Sequence, residues 1–285
     1  MTTTQTDAVE AVVDAVTETA PEIADGLRGR REAVDEENPS GERVTAADVW
    51  ADDLLVDRLA AVDGVGEVAT EERERPLDCG DGVSVTLDPL DGSSNLVANN
   101  LMGTIVGVYD AGAALPASGT DLVAASYVVY GPITTMVVAR DRVREYELTG
   151  DGRRLVDDDL RLPEEPTVYG FGGRVPDWPD EFERFVRGVE TELKLRYGGA
   201  MVGDVNQVMQ YGGVFSYPGL RSRPAGKLRL QFEAAPMGYV VETAGGRSSD
   251  GERSLLRVAP EELHQRTPVH LGSATLVDRL ERALN

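Results

Sequence analysis

The alternating segment VSVTL (83–87) runs directly into DPLDGSSN (88–95). This junction constrains the fold more than any other stretch. A strand must end where two carboxylates, Asp88 and Asp91, cannot avoid each other. Pro89 fixes its own φ and pushes Asp88 into an extended conformation, which aims the Leu90 carbonyl in a defined direction. Gly92 permits a sharp turn, and Ser93 or Ser94 can cap a helix whose free N–H groups attract an anion. The strand end then presents two carboxylates and a carbonyl beside a phosphate-sized nest. Hard oxygen donors of this kind suit Mg²⁺, which completes its shell with water and substrate phosphate. A cation with a phosphate behind it would offset the repulsion. The competing reading is an Asp-Pro and Asp-Gly surface turn.

Around this motif the pattern alternates between helix and strand. Apolar positions at helical spacing (Val9, Val12, Val13, Val16, Ile23, Leu27) predict a helix over 8–35, broken at Pro21. A second amphipathic helix is predicted over 44–62. GTIVGVY, DLVAASYVVYG and TTMVVARD read as successive strands, followed by a strand pair turning at 150–152. An acidic connector containing proline places a domain boundary near 160, giving domains 1–160 and 161–285. Beyond it come a strand in PTVYGFGG, a helix after Pro179, and the strand KLRLQFE ending at Glu233 before another helix.

Charge excludes whole classes of partner. Fifty acidic residues against 28 basic ones leave a net charge of −22. That opposes binding to nucleic acid phosphates and to anionic membranes. Only Lys194 and Lys227 are lysines, a balance that fits a protein working in a salt-rich cytoplasm. The N-terminus lacks the basic-then-apolar layout of a signal peptide, and no apolar run reaches the length of a membrane span. Cys79 is the single cysteine, so there is no internal disulfide. The chain reads as cytoplasmic, with a small-molecule partner.

Other acids gain meaning beside the motif. Glu71 and Glu72 follow the strand-like VGEV and are placed to reach a shared metal. On the second helix Asp48 and Asp52 share a face and Asp53 lies to the side, although each also fits a solvated helix acid. Glu233 stands where a buried strand passes into a buried helix and needs a partner there. His264 and His270 read as surface or satisfied groups, leaving little material for a histidine-based mechanism. CxxC zinc ligands, a P-loop and a convincing GxGxxG are absent from the sequence.

DPLDGSSN, followed by GTIVGVY and KLRLQFEAAPMGYVVETAGG, resembles class I fructose-1,6-bisphosphatases over nearly the whole chain. The resemblance implies an α/β layered sandwich of mixed sheets and helices in two subdomains, with the active site between them and a homotetramer as the assembly. It implies hydrolysis of the 1-phosphate of fructose 1,6-bisphosphate, a gluconeogenic step, with two or three Mg²⁺ ions or Mn²⁺ in their place. Its metal ligands correspond to Glu71, Asp88, Asp91, Glu233 and the Leu90 carbonyl. Asp53 with Glu72 would orient and deprotonate the attacking water, supported by Asp48. Asp91, Gly92, Ser93 and Ser94 would hold the departing phosphate. Lys227, Tyr197, Tyr217 and Met201 would meet the sugar and its 6-phosphate, and Arg196 would reach a neighbouring subunit's site. The family's Asn-Glu-Gly-Tyr segment corresponds to FGGR, where Arg174 would substitute as a charged donor. Asp110, Ala111 and Gly112 replace basic residues of the nucleotide site, which implies no inhibition by AMP. The alternatives are a broader sugar or inositol phosphatase, a sedoheptulose-1,7-bisphosphatase, and a non-catalytic metal-binding subunit.

Overall fold

Val9, Val12, Val13, Val16, Ala20 and Ile23 are all buried along one face of a single helix, α1 (Thr3–Gly26). Pro21 lies inside it and does not break it. The apolar stripe continues past the proline, so burial on both sides outweighs the lost hydrogen bond. The helix stops earlier than the predicted 35. Ala33–Glu37 instead turns back on Arg43–Thr45 as a short antiparallel pair. The computed structural model describes residues 3–39, 41 and 43–285, with residues 3, 4, 33, 35 and 36 described by backbone alone.

Thr45 caps α2 (Ala46–Ala60) through a capping box. Its hydroxyl accepts the N–H groups of Ala47 and Asp48, and Asp48 Oδ2 accepts the Thr45 N–H at 2.7 Å. The remaining helices are α3 (Asp180–Val189), α4 (Met201–Tyr211), α5 (Ala235–Thr243) and α6 (Ala274–Leu284).

The helices sandwich two sheets. The larger has eight strands in the order Gly152–Asp157, Val143–Thr149, Thr134–Ala139, Leu122–Tyr130, Met102–Tyr109, Val83–Asp91, Val65–Thr70, Leu77–Asp78. All neighbours are antiparallel except Val65–Thr70 and Val83–Asp91. The smaller has five strands, ordered Lys194–Leu195, Val168–Phe171, Gly213–Tyr217, Val269–Gly272, Arg247–Ser249. α1 and α2 cover one face of the large sheet through Val12, Leu55 and Val85. α4 and α5 fill the space between the sheets, where Val205 and Val240 meet Tyr127 and Leu271. α3 and α6 close the outer face of the small sheet around Phe182 and Leu280. The result is the layered sandwich of mixed sheets and helices that the resemblance implies. The chain changes sheets after Asp157, and Leu160 joins the core that both sheets share.

Two local predictions need correction. KLRLQFE is not a full strand: only Leu228–Arg229 is extended, and Leu230–Ala234 forms one wide helical turn that leads into α5. Glu233 therefore projects from a helical turn. His270 is neither surface nor satisfied. It is 1% exposed in strand Val269–Gly272 and its Nδ1 has no partner. Burial pushes its pKa down to about 3, so the ring is neutral.

Candidate metal and phosphate site

Strand Val83–Asp91 delivers the first two carboxylates through a local irregularity. Its pairing with Met102–Tyr109 shifts between Asp88 and Asp91, where Pro89 has no N–H to give the ladder. The Pro89 carbonyl accepts Thr104 Oγ1 at 2.8 Å, and the Leu90 N–H donates to Asp88 Oδ1 at 3.0 Å. The helical turn before α5 brings in Glu233. One oxygen each from Asp88, Asp91 and Glu233 lie within 4.8 Å of one another, and all three residues are buried. Asp91 Oδ2 also accepts the Val202 N–H at 2.6 Å, and Glu233 Oε2 accepts the Arg229 N–H at 2.6 Å. Glu71 follows strand Val65–Thr70 and stands 2.9 Å from Arg229 Nη1, which lies 3.8 Å from Glu233.

The cluster is short of positive charge. Burial first, then Glu71, Asp91 and Glu233, hold the Asp88 carboxyl well above the usual carboxylate range, and Arg229 opposes them. Burial and then Glu233 push Asp91 up to about 7, against the pull of the Val202 and Met201 amides. An all-oxygen donor set whose ionisation is disfavoured by its own members fits a hard divalent cation. Asp88, Asp91, Glu233, Glu71 and Leu90 are the residues that would hold it.

The cluster opens on a cavity of about 280 Å³. Gly92, Ser93 and Ser94 line it beside the carboxylates. The predicted capped helix is only a turn, Ser93–Leu96, with Gly92 at its start at φ 75° and no side-chain cap. Gly92 has no substitute here: a Cβ would lie 2.2 Å from the Ala200 Cβ. The serine hydroxyls are therefore not spent on capping, and Ser93 bonds Asp48.

The acids of α2 separate clearly. Asp48 is 5% exposed, lines the cavity and has its pKa raised by burial against hydrogen bonds from Thr45 and Ser93. Asp53, assigned from the resemblance to orient water, does not line it. Its side chain is 67% exposed and pairs with Arg73 at 2.9 Å. Asp52 is turned inward but is bound to the same arginine at 2.7 Å. Helical phase is the reason: residue 53 lies off the face that Asp48 and Asp52 share. Glu72 lines the cavity.

Tyr197, Met201, Tyr217 and Lys227 also line the cavity, with Lys227 Nζ 5.6 Å from the Tyr217 ring centre. Arg174 and Arg196 are exposed and lie outside this cavity. Arg174 is thus not among the residues that line this cavity. FGGR serves another purpose: a Cβ on Gly172 would lie 2.2 Å from the Tyr217 ring, and Gly173 at φ +87° turns the chain away. Sequence reasoning missed Asn38, Arg43, Asp204 and Arg229, all of which line the cavity. Arg229 had a visible signal, a basic residue in an apolar run four positions before Glu233. The others depend on long-range contacts.

Comparison with known proteins agrees with this geometry. Residues 20–151 match the model of the fructose-1-6-bisphosphatase N-terminal domain, and residues 162–285 that of the C-terminal domain. The class 1 fructose-1,6-bisphosphatase of Natronomonas pharaonis is 57% identical over 282 residues, covering 98% of this chain and 99% of that one. That of Halobacterium salinarum is 56% identical, covering 98% of each. The crystal structure of Leishmania major fructose-1,6-bisphosphatase in holo form superposes with a TM-score of 0.91 at 29% identity, covering 100% of this chain and 98% of that one. The two domain matches, the near-complete relatives and the shared fold place this chain in the class 1 fructose-1,6-bisphosphatase family.

Proposed function

We propose that the chain hydrolyses the 1-phosphate of fructose 1,6-bisphosphate, giving fructose 6-phosphate and phosphate, with Mg²⁺ as its ion at two or three positions. The observation that carries this reading is one cavity lined both by a buried carboxylate cluster and by Lys227 with two tyrosines. A sugar carrying two phosphates matches that combination of a cation-holding cluster and a separate ammonium. When bound, the cation would neutralise phosphate oxygens and lower the pKa of water. The chain's own residues do the rest. Gly92, Ser93 and Ser94 receive the 1-phosphate, Lys227 offers a compact ammonium to the 6-phosphate, and Tyr197, Tyr217 and Met201 hold the sugar. Asp48 and Glu72 face the phosphate end, where Asp48 takes the proton of the attacking water.

This assigns to Asp48 the part first given to Asp53, and the two residues test it. Asp48→Asn is expected to lower kcat about 10²- to 10⁴-fold, the usual loss of a general base, with KM little changed. Asp53→Asn should keep kcat within about twofold, because removing one exposed ion pair costs at most ~1 kcal/mol. Steady-state kinetics on both variants decides; an equal loss in Asp53→Asn would sink the assignment.

The family resemblance supports a homotetramer in which Arg196, exposed beside its own cavity, serves a neighbouring subunit. The acidic surface and scarcity of lysine support a salt-rich cytoplasm. Among the described residues no helix is long and apolar enough to cross a membrane.

A further inference from the structure

Asn95 closes DPLDGSSN, yet it lies outside the cavity lining. Its side-chain amide is committed twice: Nδ2 donates to the Leu101 carbonyl at 2.7 Å and to the Gly198 carbonyl at 2.9 Å. Asn100 Nδ2 reaches the same Gly198 oxygen at 2.9 Å. From the opposite side Asp204, 3% exposed, takes the Gly198 N–H on Oδ1 at 2.5 Å and the Gly199 N–H on Oδ2 at 3.1 Å. Both polar groups of Gly198 are thus held by side chains, one from the phosphate turn itself, one from the loop after it and one from α4. The approach is tight. Gly199 at φ +86° would bring a Cβ within 3.3 Å of Asn95 Oδ1, and the Gly92 position touches Ala200.

Tyr197 precedes this fixed peptide and Met201 follows it one residue beyond Ala200, and both line the cavity. We propose that Asn95 and Asp204 are positioning residues, which seat Gly198–Gly199 on the phosphate turn and so set the separation between Tyr197 with Met201 and Gly92–Ser94. The proposal rests on the reading above that Tyr197 and Met201 meet the sugar. A bisphosphate must satisfy both ends at once, and a shift of about 1 Å at one end is enough to cost binding or rate. Asp88 and Glu233 take backbone bonds away from the clamp, and Asp91, which accepts the Val202 N–H, is placed by α4, itself held in the core through Val202 and Val205.

The experiment compares Asp204→Asn and Asn95→Ala with Tyr197→Ala in the full chain with Mg²⁺. It measures KM for fructose 1,6-bisphosphate and the competitive inhibition constants of fructose 6-phosphate and of inorganic phosphate. Loss of a hydrogen bond to a charged or fully committed group predicts a rise of about tenfold in KM and in the fructose 6-phosphate constant. The phosphate constant should stay within about twofold and kcat within about threefold, a pattern that a partly unfolded population does not produce. Should Asp204→Asn fail to fold, Asn100→Ala removes one exposed arm from the same carbonyl, and a smaller rise of about threefold is expected. If Tyr197→Ala weakens fructose 6-phosphate and neither clamp variant does, the clamp is refuted and the sugar reading stands. If Tyr197→Ala leaves fructose 6-phosphate binding unchanged, the sugar reading falls and takes the clamp with it. A parallel rise in the phosphate constant overturns positioning in favour of general disruption.

Discussion

Asp88→Asn is expected to lower kcat at least about a thousandfold while making the metal-free protein more stable. A thousandfold loss corresponds to ~4 kcal/mol of transition-state stabilisation. It follows from weakening both the hold on the cation and the neutralisation of the phosphate. The asparagine keeps the shape and an oxygen for the Leu90 N–H, so the backbone irregularity survives. What disappears is one negative charge among Glu71, Asp91 and Glu233. The folded-state pKa of Asp88 is raised, so its carboxyl favours folding while protonated and costs stability as pH rises through that value. Asparagine carries no such cost. Near neutral pH the metal-free variant should therefore melt higher than wild type, each kcal/mol appearing as about 2–4 °C for a chain of this size. Mg²⁺ should reverse the order. Wild type gains about 2.7 kcal/mol per site at a hundred times the dissociation constant, and the variant gains little. Thermal melts with EDTA and with Mg²⁺ read both effects. Near-normal turnover, or a metal-free variant that melts lower than wild type, would refute the cluster as a metal centre.

Arg229→Met should have the opposite sign in the metal-free protein. The Arg229 side chain is 4% exposed and lies against Glu71 and Glu233, whose side chains are 11% and 4% exposed. It is the positive charge resident in the cluster, and methionine can occupy its path without replacing that charge. Breaking a buried pair by removing one partner typically costs about 3–5 kcal/mol, because the remaining charges stay desolvated. Screening by salt reaches a pair this buried only weakly, so the loss should persist in molar KCl. Mg²⁺ should recover part of it, since cation and guanidinium act on the same carboxylates. Adding Glu71→Gln should also recover part, a non-additivity expected of contacting residues. Denaturant titrations of the single and double variants, with and without Mg²⁺, measure these quantities. A single variant as stable as wild type would show that Arg229 does not balance the cluster.

These two residues also mark what the sequence made readable. Asp88 and Asp91 were legible because strand, proline, glycine and serines are consecutive, so local chemistry dictates their arrangement. Long apolar strands and the amphipathic α2 were legible for the same reason, whereas the capping box that starts α2 was not read. Arg229 was harder, since its role depends on Glu71, which lies far away in sequence and reaches it only through the fold. The same holds for Asp204, which acts on Gly198 and Gly199 through an unusual loop. Local rules misled where tertiary packing overrode them. Pro21 stays inside α1 because its neighbours are buried on both sides, and Glu233 leaves a helical turn where alternation suggested a strand. Asp53 stands outside the cavity lining, exposed and paired with Arg73. The helical spacing already placed it off the face of Asp48, and that physical signal was stronger than the position-by-position carry-over. Arg174 also lies outside the cavity lining, after glycines of which Gly172 makes room for Tyr217.

The central claim is that the carboxylate cavity is a divalent-metal centre serving a sugar bisphosphate. The most direct test is phosphate release by EDTA-treated protein in molar KCl as Mg²⁺ is added back. Fructose 1,6-bisphosphate is compared with sedoheptulose 1,7-bisphosphate, inositol 1-phosphate and glucose 1-phosphate. The predicted result is no release without divalent ion, saturable recovery with Mg²⁺, and a kcat/KM for fructose 1,6-bisphosphate at least about tenfold above the others, as expected if both ends of the cavity bind phosphate. Release that is independent of metal, or equal rates on the monophosphates, would contradict it.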